Sequence, residues 1–513
     1  MRESSSRLRL RCGCGLARAL GGSTWSLVIA VWVALLAGSA SAGLPNIVLI
    51  MADDLGWRDV GYQGSEIRTP RIDGLVAEGV ALERFYVQPI CSPTRAAVMT
   101  GKSPARLGIV QPISKLDEGG LPLDERILPQ FLAGAGYQPL MAGKWHLGHA
   151  EKRYFPHARG FEQFYGHVTG GIGYWDHNHG GGHDWQRNGV TVREEGYATR
   201  LIADEAVRLL ETRDRARPTF LFASFNAPHL PNEAPPAALE AYPEGMRAQR
   251  RIHAGMVAEL DTAVGRILDA VDAEGMRENT LVWFFSDNGG LNQSTSPPAL
   301  VSVLERLVSI FGTPLPIEML EFVRENTFEG ASDNAPLRGG KTTVYEGGVR
   351  VPSVLRWSGH LSPGASQAFV TAQDVLPTLM QVAGQEESIP ADLDGLGRWS
   401  AILNRKASVP GTVPDYRVQG LAGVALLRPP WKLVVVSAGP FSDPDYELYD
   451  VYADPSERTN LAAAHPERVA EMRAALEAWP LAEPVHAPLY RIMMDPDRFG
   501  GPENREPWAE AAR

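Results

Sequence analysis

The chain has 513 residues and carries 49 Lys and Arg against 60 Asp and Glu, so its net charge near pH 7 is -11. A chain this acidic repels polyanions, which argues against nucleic acid as a partner. An anionic substrate therefore has to be held by a local cluster of positive side chains. The length exceeds what one hydrophobic core usually supports, so we expect one large domain with a smaller second unit.

The first 42 residues have the layout of a secretory signal peptide. Five arginines precede an apolar stretch over residues 25–37, and small residues follow up to Ala42. We predict cleavage near Ala42 and export to a periplasmic, secreted or lumenal location. The alternative is an uncleaved anchor, and we expect membrane attachment only through such a segment. It is disfavoured because the apolar stretch is shorter than the roughly 20 residues that span a bilayer.

Cysteine usage fits an exported protein without disulfides. Cleavage would remove Cys12 and Cys14 and leave Cys91 as the remaining cysteine. A single cysteine forms no internal disulfide, so the stability of the mature chain has to come from its core.

Three apolar runs predict buried strands of a mostly parallel sheet. They cover residues 46–51, 220–225 and 280–285. Between the last two, apolar residues recur at helical spacing from Met256 to Val271, which indicates a helix packed on the sheet. Strands that alternate with helices are typical of an α/β sandwich.

Polar residues follow each predicted strand. Asp53 and Asp54 come after the first, His229 after the second, and Asp287 and Asn288 after the third. Ligands of open α/β sheets bind beyond the carboxyl ends of the strands, so we expect these groups to converge on one crevice. One such turn alone is more often loop chemistry. Three together favour a metal site, and the oxygen donors suit Ca²⁺ or Mg²⁺.

Cys91 opens the run Cys91-Ser92-Pro93-Thr94-Arg95. A lone buried cysteine usually behaves as a small apolar residue. Here the flanking proline and arginine at fixed offsets favour a functional role. The run resembles the sulfatase signature Cys-x-Pro-Ser/Thr-Arg, in which the cysteine is oxidised after translation to Cα-formylglycine.

Two further stretches are similar to sulfatase motifs. Residues 136–148 contain Lys144 and His146, and residues 336–352 contain Lys341. Patterns near the C-terminus, at 446–450 and 454–461, are also shared with the family. The resemblance therefore covers nearly all of the chain after residue 43. Within the family, residues 61–70 and 88–90 look most like the arylsulfatase B (N-acetylgalactosamine-4-sulfatase) branch.

The resemblance implies a fold and a set of cofactors. The fold is an alkaline-phosphatase-like α/β sandwich with a large, mostly parallel central sheet and a smaller C-terminal antiparallel subdomain. The implied metal is Ca²⁺, and its ligands are Asp53, Asp54, Asp287, Asn288 and the formylglycine formed from Cys91. A formylglycine-generating enzyme is the partner that such a modification requires.

The resemblance also assigns roles to site residues. Cleavage of a sulfate ester is limited by charge on the transferring group and by a poor leaving group, so cations and an acid are the effective tools. By analogy, a hydroxyl of the hydrated aldehyde attacks sulfur, and the second hydroxyl then expels sulfate. The implied roles are Arg95 and His146 as positioners of the hydrate, Lys144 and Lys341 as sulfate clamps, and His229 as the acid.

The function that the resemblance implies is that of a sulfuric ester hydrolase, which we expect to act on sulfate monoesters of sugars or aryl alcohols. Two alternatives stay open. Formylglycine hydrolases that cleave phosphate diesters or phosphonates share the Cys-x-Pro-x-Arg run. A binding protein with a decayed site is disfavoured because every expected position of the site is filled.

Two segments have open interpretations. Residues 174–185 combine aromatic residues with three histidines. A flexible substrate-facing loop is favoured over a transition-metal site, because the spacing of known zinc sites is missing. A plain surface loop stays open as the other alternative. The apolar spacing within 292–334 predicts two short amphipathic helices separated by prolines. These helices could be an insertion packed on the edge of the sheet, a lid over the pocket or a dimer contact.

A change of composition near residue 416 marks the expected second unit. Pro, Ser, Gly and Thr dominate residues 407–415, and two apolar runs follow without a helix between them. We therefore predict a catalytic domain over 43–415 and a C-terminal subdomain over 416–513.

Overall fold

The fold is given by a computed structural model that describes residues 43–115, 117–179, 182–292, 330–421, 423–436, 443–486 and 506–513. The predicted signal peptide with Cys12 and Cys14 lies outside the described residues. The two helices predicted within 292–334 also fall almost entirely outside them.

The central feature is a large mixed sheet with a parallel middle. Among the described residues it has ten strands, in the order β13-β2-β12-β11-β1-β10-β4-β5-β8-β9. The five strands from β11 to β5 run parallel, and antiparallel strands flank them on both sides. The strands are β1 (Asn46–Ala52), β2 (Val80–Leu82), β4 (Gln138–Lys144), β5 (Gln163–His167), β8 (Gln186–Arg187), β9 (Val190–Thr191), β10 (Thr219–Ser224), β11 (Thr280–Ser286), β12 (Ser353–Arg356) and β13 (Gly364–Ser366).

A smaller antiparallel sheet lies near the C-terminus. In the described part of the chain its four strands follow one another in sequence order. They are β15 (Tyr416–Gln419), β16 (Gly423–Arg428), β17 (Trp431–Val436) and β18 (Asp445–Asp450). Short pairs outside both sheets are β3 (Phe85–Tyr86) with β14 (Val370–Thr371), and β6 (Asn178–His179) with β7 (Gly182–His183).

Helices cover the central sheet and the C-terminal sheet. The described α-helices are α1 (Pro70–Glu78), α2 (Cys91–Thr100), α3 (Leu128–Gly134), α4 (Ala198–Glu211), α5 (Pro236–Leu239), α6 (Ala248–Ala273), α7 (Glu346–Val349), α8 (Val375–Val382), α9 (Trp399–Asn404), α10 (Pro466–Glu477) and α11 (Trp508–Ala511). In that part of the chain, none of them combines the length and apolarity needed to cross a membrane.

The central strands are buried on both faces. In β1, Ile47 and Met51 belong to one apolar cluster, and Val48 and Ile50 belong to the other. Successive side chains of a strand point to opposite faces, so a strand between two helical layers needs apolar residues at every position. This explains why the apolar runs of the sequence predicted these strands to within a residue or two.

The fold class is confirmed: an α/β sandwich with a large, mostly parallel sheet and a small antiparallel C-terminal sheet. Residues 44–513 form one compact unit. The division into domains at residue 416 stays a prediction, although β15 begins there.

A buried ionic cluster joins the C-terminal sheet to the rest of the unit. Lys432 of β17 lies 3.0 Å from Oε1 of Glu346 and 2.9 Å from Oε1 of Glu457. The second oxygen of Glu346 accepts the Tyr86 hydroxyl at 2.8 Å. All four side chains are at most 2% exposed. The ammonium of Lys432 and the carboxyl groups of Glu346 and Glu457 are therefore compensated by one another and not by water.

We predict that Lys432→Met destabilises the protein by about 3–5 kcal/mol, because it removes the ammonium that lies within 3.0 Å of the buried carboxyl groups of Glu346 and Glu457. Urea unfolding of the purified chain measures this loss. Lys406→Met, at an exposed lysine, is the matched control and should change the free energy of unfolding by less than about 0.5 kcal/mol. Equal losses in the two variants would contradict a contribution from the buried cluster.

Candidate active site

Four oxygen-bearing side chains lie where two neighbouring strands end. Asp53 and Asp54 follow β1, and Asp287 and Asn288 follow β11, the next strand in the sheet. All four are at most 2% exposed. The backbone N–H of Asp287 donates to the carbonyl of Ala52 at 3.0 Å, and that of Asp54 donates to Oδ1 of Asp287 at 3.3 Å. Pairing of the strand ends thus holds the four groups together.

Asp54 has the left-handed backbone conformation, with φ of 65°. Aspartate tolerates this region better than most residues do. Its carboxylate oxygens accept hydrogen bonds from Nδ2 of Asn288 at 2.6 Å and from Nζ of Lys341 at 2.8 Å. These contacts bring residues from three separate motifs to one carboxylate.

Each of the three carboxylates has its own buried cation. Lys144, the last residue of β4, lies 2.6 Å from Asp53, and Lys341 pairs with Asp54. The guanidinium of Arg95 donates to Oδ2 of Asp287 through Nε at 3.1 Å and through a terminal nitrogen at 2.8 Å. Buried charges need such pairing, since an uncompensated one costs several kcal/mol.

Helix α2 brings Cys91 and Arg95 into this cluster. Cys91 is its first residue, and its thiol donates to Oδ1 of Asp53 at 3.5 Å. Arg95, one turn later, also donates to the carbonyl of Lys144 at 2.9 Å and to Oγ of Ser224 at 2.7 Å. Arg95 therefore connects the ends of β4, β10 and β11.

Burial and local charge shift the pKa values of the site. Burial raises the pKa of the Cys91 thiol well above its usual value, against the pull of Lys144. An unmodified Cys91 is thus a protonated thiol, a poor nucleophile. Burial, with the nearby charge of Asp53, raises the pKa of Asp287 to about 6. For Asp54, burial acts to raise the pKa, but Lys341 and His229 lower it to about 2.

Two histidines lie near the buried charges of the site, His229 close to Asp54 and His146 close to Lys144. The Nε2 atom of His229 lies 3.7 Å from Asp54, and its Nδ1 atom lies 2.7 Å from the carbonyl of Leu230. His146 has a φ of 59°, and its Nε2 lies 3.0 Å from the carbonyl of Ile113. Burial, assisted by Lys341, lowers the pKa of His229 to about 3. Burial also lowers that of His146, together with the charge of Lys144.

The donors of this site fit a hard cation. Oδ1 of Asn288 is buried and has no hydrogen-bond partner among the described residues, although Nδ2 of the same amide donates to Asp54. Ligand atoms of Asp53, Asp54, Cys91 and His229 all lie within 4.8 Å of one another. A buried acceptor without a partner is rare in proteins, and an ion would satisfy it.

The sequence model of the sulfatase family matches residues 45–385, a range that contains every side chain of this site. The chain belongs to the sulfatase family. Its narrower placement in the arylsulfatase B branch stays a prediction.

Named sulfatases are similar to this chain. Arylsulfatase J of Mus musculus is 34% identical over 376 residues, which cover 71% of this chain and 57% of that protein. N-acetylgalactosamine-6-sulfatase of Sus scrofa is 31% identical over 412 residues, 76% of this chain and 72% of that protein. The chain thus spans little more than half of the first relative.

A solved structure resembles most of the fold. Ps i-CgsB, crystallised in complex with k-i-k-neocarrahexaose, superposes with a TM-score of 0.74 at 27% identity. The superposition covers 88% of this chain and 97% of that one.

The structure of this family member places the ten residues that the sequence singled out in or next to this cluster, and it adds others. Ser224 holds Arg95, and the Tyr174 hydroxyl donates to the carbonyls of Asn226 and His229, at 2.9 and 2.8 Å. No sequence motif marks Ser224, and Tyr174 is marked only as the first residue of the aromatic segment 174–185. Their roles arise from contacts between distant strand ends and loops.

The aromatic and histidine-rich segment at 174–185 differs from the flexible loop that we expected. Tyr174 and Trp185 are buried, whereas Trp175 is 47% exposed. Each of three imidazoles lies against a backbone carbonyl: His177 on Gly196, His179 on Gly171 and His183 on Val192. Among the described residues, the group of side chains that could hold a metal contains none of these histidines. The segment is largely packed structure.

Proposed function

We propose that this chain is a sulfuric ester hydrolase that cleaves sulfate monoesters at the cluster around Cys91. The observation that carries the proposal is the arrangement of three buried carboxylates, three buried cations and the unpaired oxygen of Asn288. Such a site can bind a cation and, with the cation in place, an anionic sulfuryl group. The chain as a whole would repel that anion, because its net charge is -11. Family membership supports the same chemistry.

We propose Ca²⁺ as the cation. Its protein ligands would be Asp53, Asp54, Asp287 and Asn288, together with the residue at position 91. All are oxygen donors once Cys91 carries formylglycine, and Ca²⁺ prefers such ligands. When bound, it would supply positive charge to a sulfuryl oxygen.

Formylglycine at position 91 is part of the proposal, and a formylglycine-generating enzyme would produce it. When hydrated, it supplies a nucleophilic hydroxyl and a second hydroxyl for release of sulfate. The elevated pKa of the unmodified thiol supports a need for modification, because a buried thiol releases its proton with difficulty.

The chain's own residues provide the remaining functions. Lys144 and Lys341 each contact one carboxylate, and their other ammonium protons are available to hold sulfate oxygens. Arg95 donates to Asp287, and His146, two residues after Lys144, has a buried Nδ1 without a hydrogen-bond partner in the described structure. We propose that Arg95 and His146 position the nucleophile.

His229 is proposed as the acid that protonates the leaving oxygen. The Leu230 carbonyl accepts the proton on Nδ1, which leaves Nε2 directed toward the site. With a pKa lowered to about 3, the imidazole is neutral near pH 7. The role therefore requires the negative charge of bound substrate to raise this pKa, since a nearby anion favours the imidazolium.

The proposed substrates are sulfated sugars or aryl sulfates. The name of the Sus scrofa relative refers to a sulfated amino sugar, and the complex of Ps i-CgsB contains an oligosaccharide. Export after cleavage near Ala42 remains part of the proposal, because it would give access to such glycans.

We predict that the purified chain hydrolyses nitrophenyl sulfate with a higher kcat/KM than bis(nitrophenyl) phosphate. Peptide mass spectrometry of the active material should show that Cys91 has lost its thiol sulfur. Faster turnover of the phosphodiester would favour the alternative, a formylglycine-dependent phosphodiester or phosphonate hydrolase. Full activity with intact cysteine would contradict the proposed nucleophile.

Cys91→Ser is the informative variant for this prediction. A serine hydroxyl can attack sulfur but has no second hydroxyl with which to expel sulfate. The variant should therefore accumulate a sulfated peptide and stop after one turnover, whereas Cys91→Ala should show neither event.

We predict that Ca²⁺ stabilises the chain by about 2.7 kcal/mol at a concentration a hundredfold above its Kd, because it binds the folded state. Thermal unfolding with and without chelator measures this. Asp54→Asn should lose most of the response. Asp374→Asn, at a buried aspartate that caps a turn elsewhere, should keep it. A response of equal size in both variants would exclude this cluster as the binding site.

We predict that His229→Ala slows a sugar sulfate at least about a hundredfold and nitrophenyl sulfate by about tenfold or less. An acid matters most when the leaving oxygen is basic, as an alkoxide is and nitrophenolate is not. Lys144→Ala and Lys341→Ala should slow both substrates alike, because sulfate oxygens are common to both. Steady-state kcat values of each variant on the two substrates test whether His229 is the acid. Equal losses for His229→Ala would assign the acid elsewhere.

A further inference from the structure

The side chain of Gln88 pairs with the edge of the C-terminal sheet. Its Nε2 donates to the carbonyl of Arg417 at 2.9 Å, and its Oε1 accepts the backbone N–H of Gln419 at 3.2 Å. Both partners belong to β15, the edge strand of that sheet. The amide thus satisfies two backbone groups that an edge strand otherwise leaves unpaired. Gln88 is only 2% exposed, so water does not compete for these bonds.

The backbone of Gln88 is tied to the helix that begins with Cys91. Its N–H donates to Oγ1 of Thr94 at 2.9 Å, and the Thr94 hydroxyl donates back to the carbonyl of Gln88 at 3.1 Å. Thr94 lies in the first turn of α2, between Cys91 and Arg95. A continuous chain of hydrogen bonds therefore runs from β15 to the turn that carries the nucleophile.

The same region holds the segment of Lys341. The N–H of Thr342 donates to the carbonyl of Pro89 at 2.8 Å, and the carbonyl of Thr342 accepts the N–H of Leu421 at 3.1 Å. Pro89 follows Gln88, and Leu421 lies just beyond the end of β15. The C-terminal sheet thus contacts the backbones that precede Cys91 and follow Lys341.

We propose that Gln88 is a positioning residue of the sulfatase reaction, and that through it the edge of the C-terminal sheet sets the distance between Cys91 and Lys341. This inference rests on the proposed function. Gln88 touches neither carboxylates nor substrate-binding cations in the contacts above, so it acts through the backbone. A displacement of about 1 Å at a reacting group can cost on the order of a hundredfold in rate.

Gln88→Met tests the proposal, because methionine has a similar length and makes neither hydrogen bond. We expect kcat to fall at least about tenfold, to the same extent with nitrophenyl sulfate and with a sugar sulfate, while KM changes less than about twofold. Equal loss on both substrates separates this role from that of an acid. The matched control is Gln138→Met, at a buried glutamine whose Oε1 accepts the Asp214 N–H at 2.8 Å at the opposite end of β4 from Lys144. It should retain wild-type kcat.

Gln88→Glu adds a readout that general destabilisation would not move. A neutral carboxyl can still donate to Arg417 and accept from Gln419, whereas a carboxylate cannot donate. Burial raises the pKa of a carboxyl group, so the activity of this variant relative to wild type should recover as the pH falls. A ratio independent of pH, or unchanged kcat in Gln88→Met, would overturn the proposal.

Amide hydrogen exchange provides a readout independent of activity. In Gln88→Met, the amides of residues 91, 92, 94, 95, 342 and 343 should exchange at least about tenfold faster than in wild type and in Gln138→Met. Unchanged exchange would overturn the positioning role even in an inactive preparation. Failure of wild type to hydrolyse any sulfate ester would instead contradict the proposed function.

Discussion

The site depends on the burial of three carboxylates within one cluster. Asp53, Asp54 and Asp287 repel one another in a region that excludes water, and their burial is tolerated because three cations are buried with them. Three negative and three positive side chains leave the protein cluster close to neutral. A bound divalent cation would therefore make it net positive. A chain that is acidic overall would then have a positively charged site at which a sulfate ester can bind.

The cations cannot be exchanged freely within this arrangement. Arg95 reaches Asp287, Ser224 and a backbone carbonyl at once, which requires the fixed fork of a guanidinium. Each lysine instead places one compact charge beside one carboxylate and keeps further protons to donate. The difference suits Arg95 to holding the framework and the lysines to holding substrate.

The sequence predicted the sheet and most of the site because both depend on local patterns. Buried strands such as β1 and β11 are apolar throughout, and the residues after them lie at one edge of a parallel sheet. The motifs around Cys91, Lys144 and Lys341 are each contiguous. Contacts such as Gln88 with β15, or Lys432 with Glu346, join residues hundreds or tens of positions apart, and neither partner belongs to a periodic pattern. They follow from tertiary packing that composition and spacing do not encode.

The C-terminal sheet is more than an appendage to the catalytic layers. Its strand β17 carries Lys432, which neutralises Glu346 five residues after Lys341, and its strand β15 meets Gln88 three residues before Cys91. Both contacts are buried, so their hydrogen bonds are not exchanged for bonds to water. Loops that carry catalytic groups gain precision when they are attached to regular structure on two sides. Here the parallel sheet fixes the carboxylates through strand ends, and the antiparallel sheet contacts the segments of Cys91 and of Lys341. The geometry at sulfur would then depend on the relative placement of the two sheets, which the buried cluster at Lys432 stabilises.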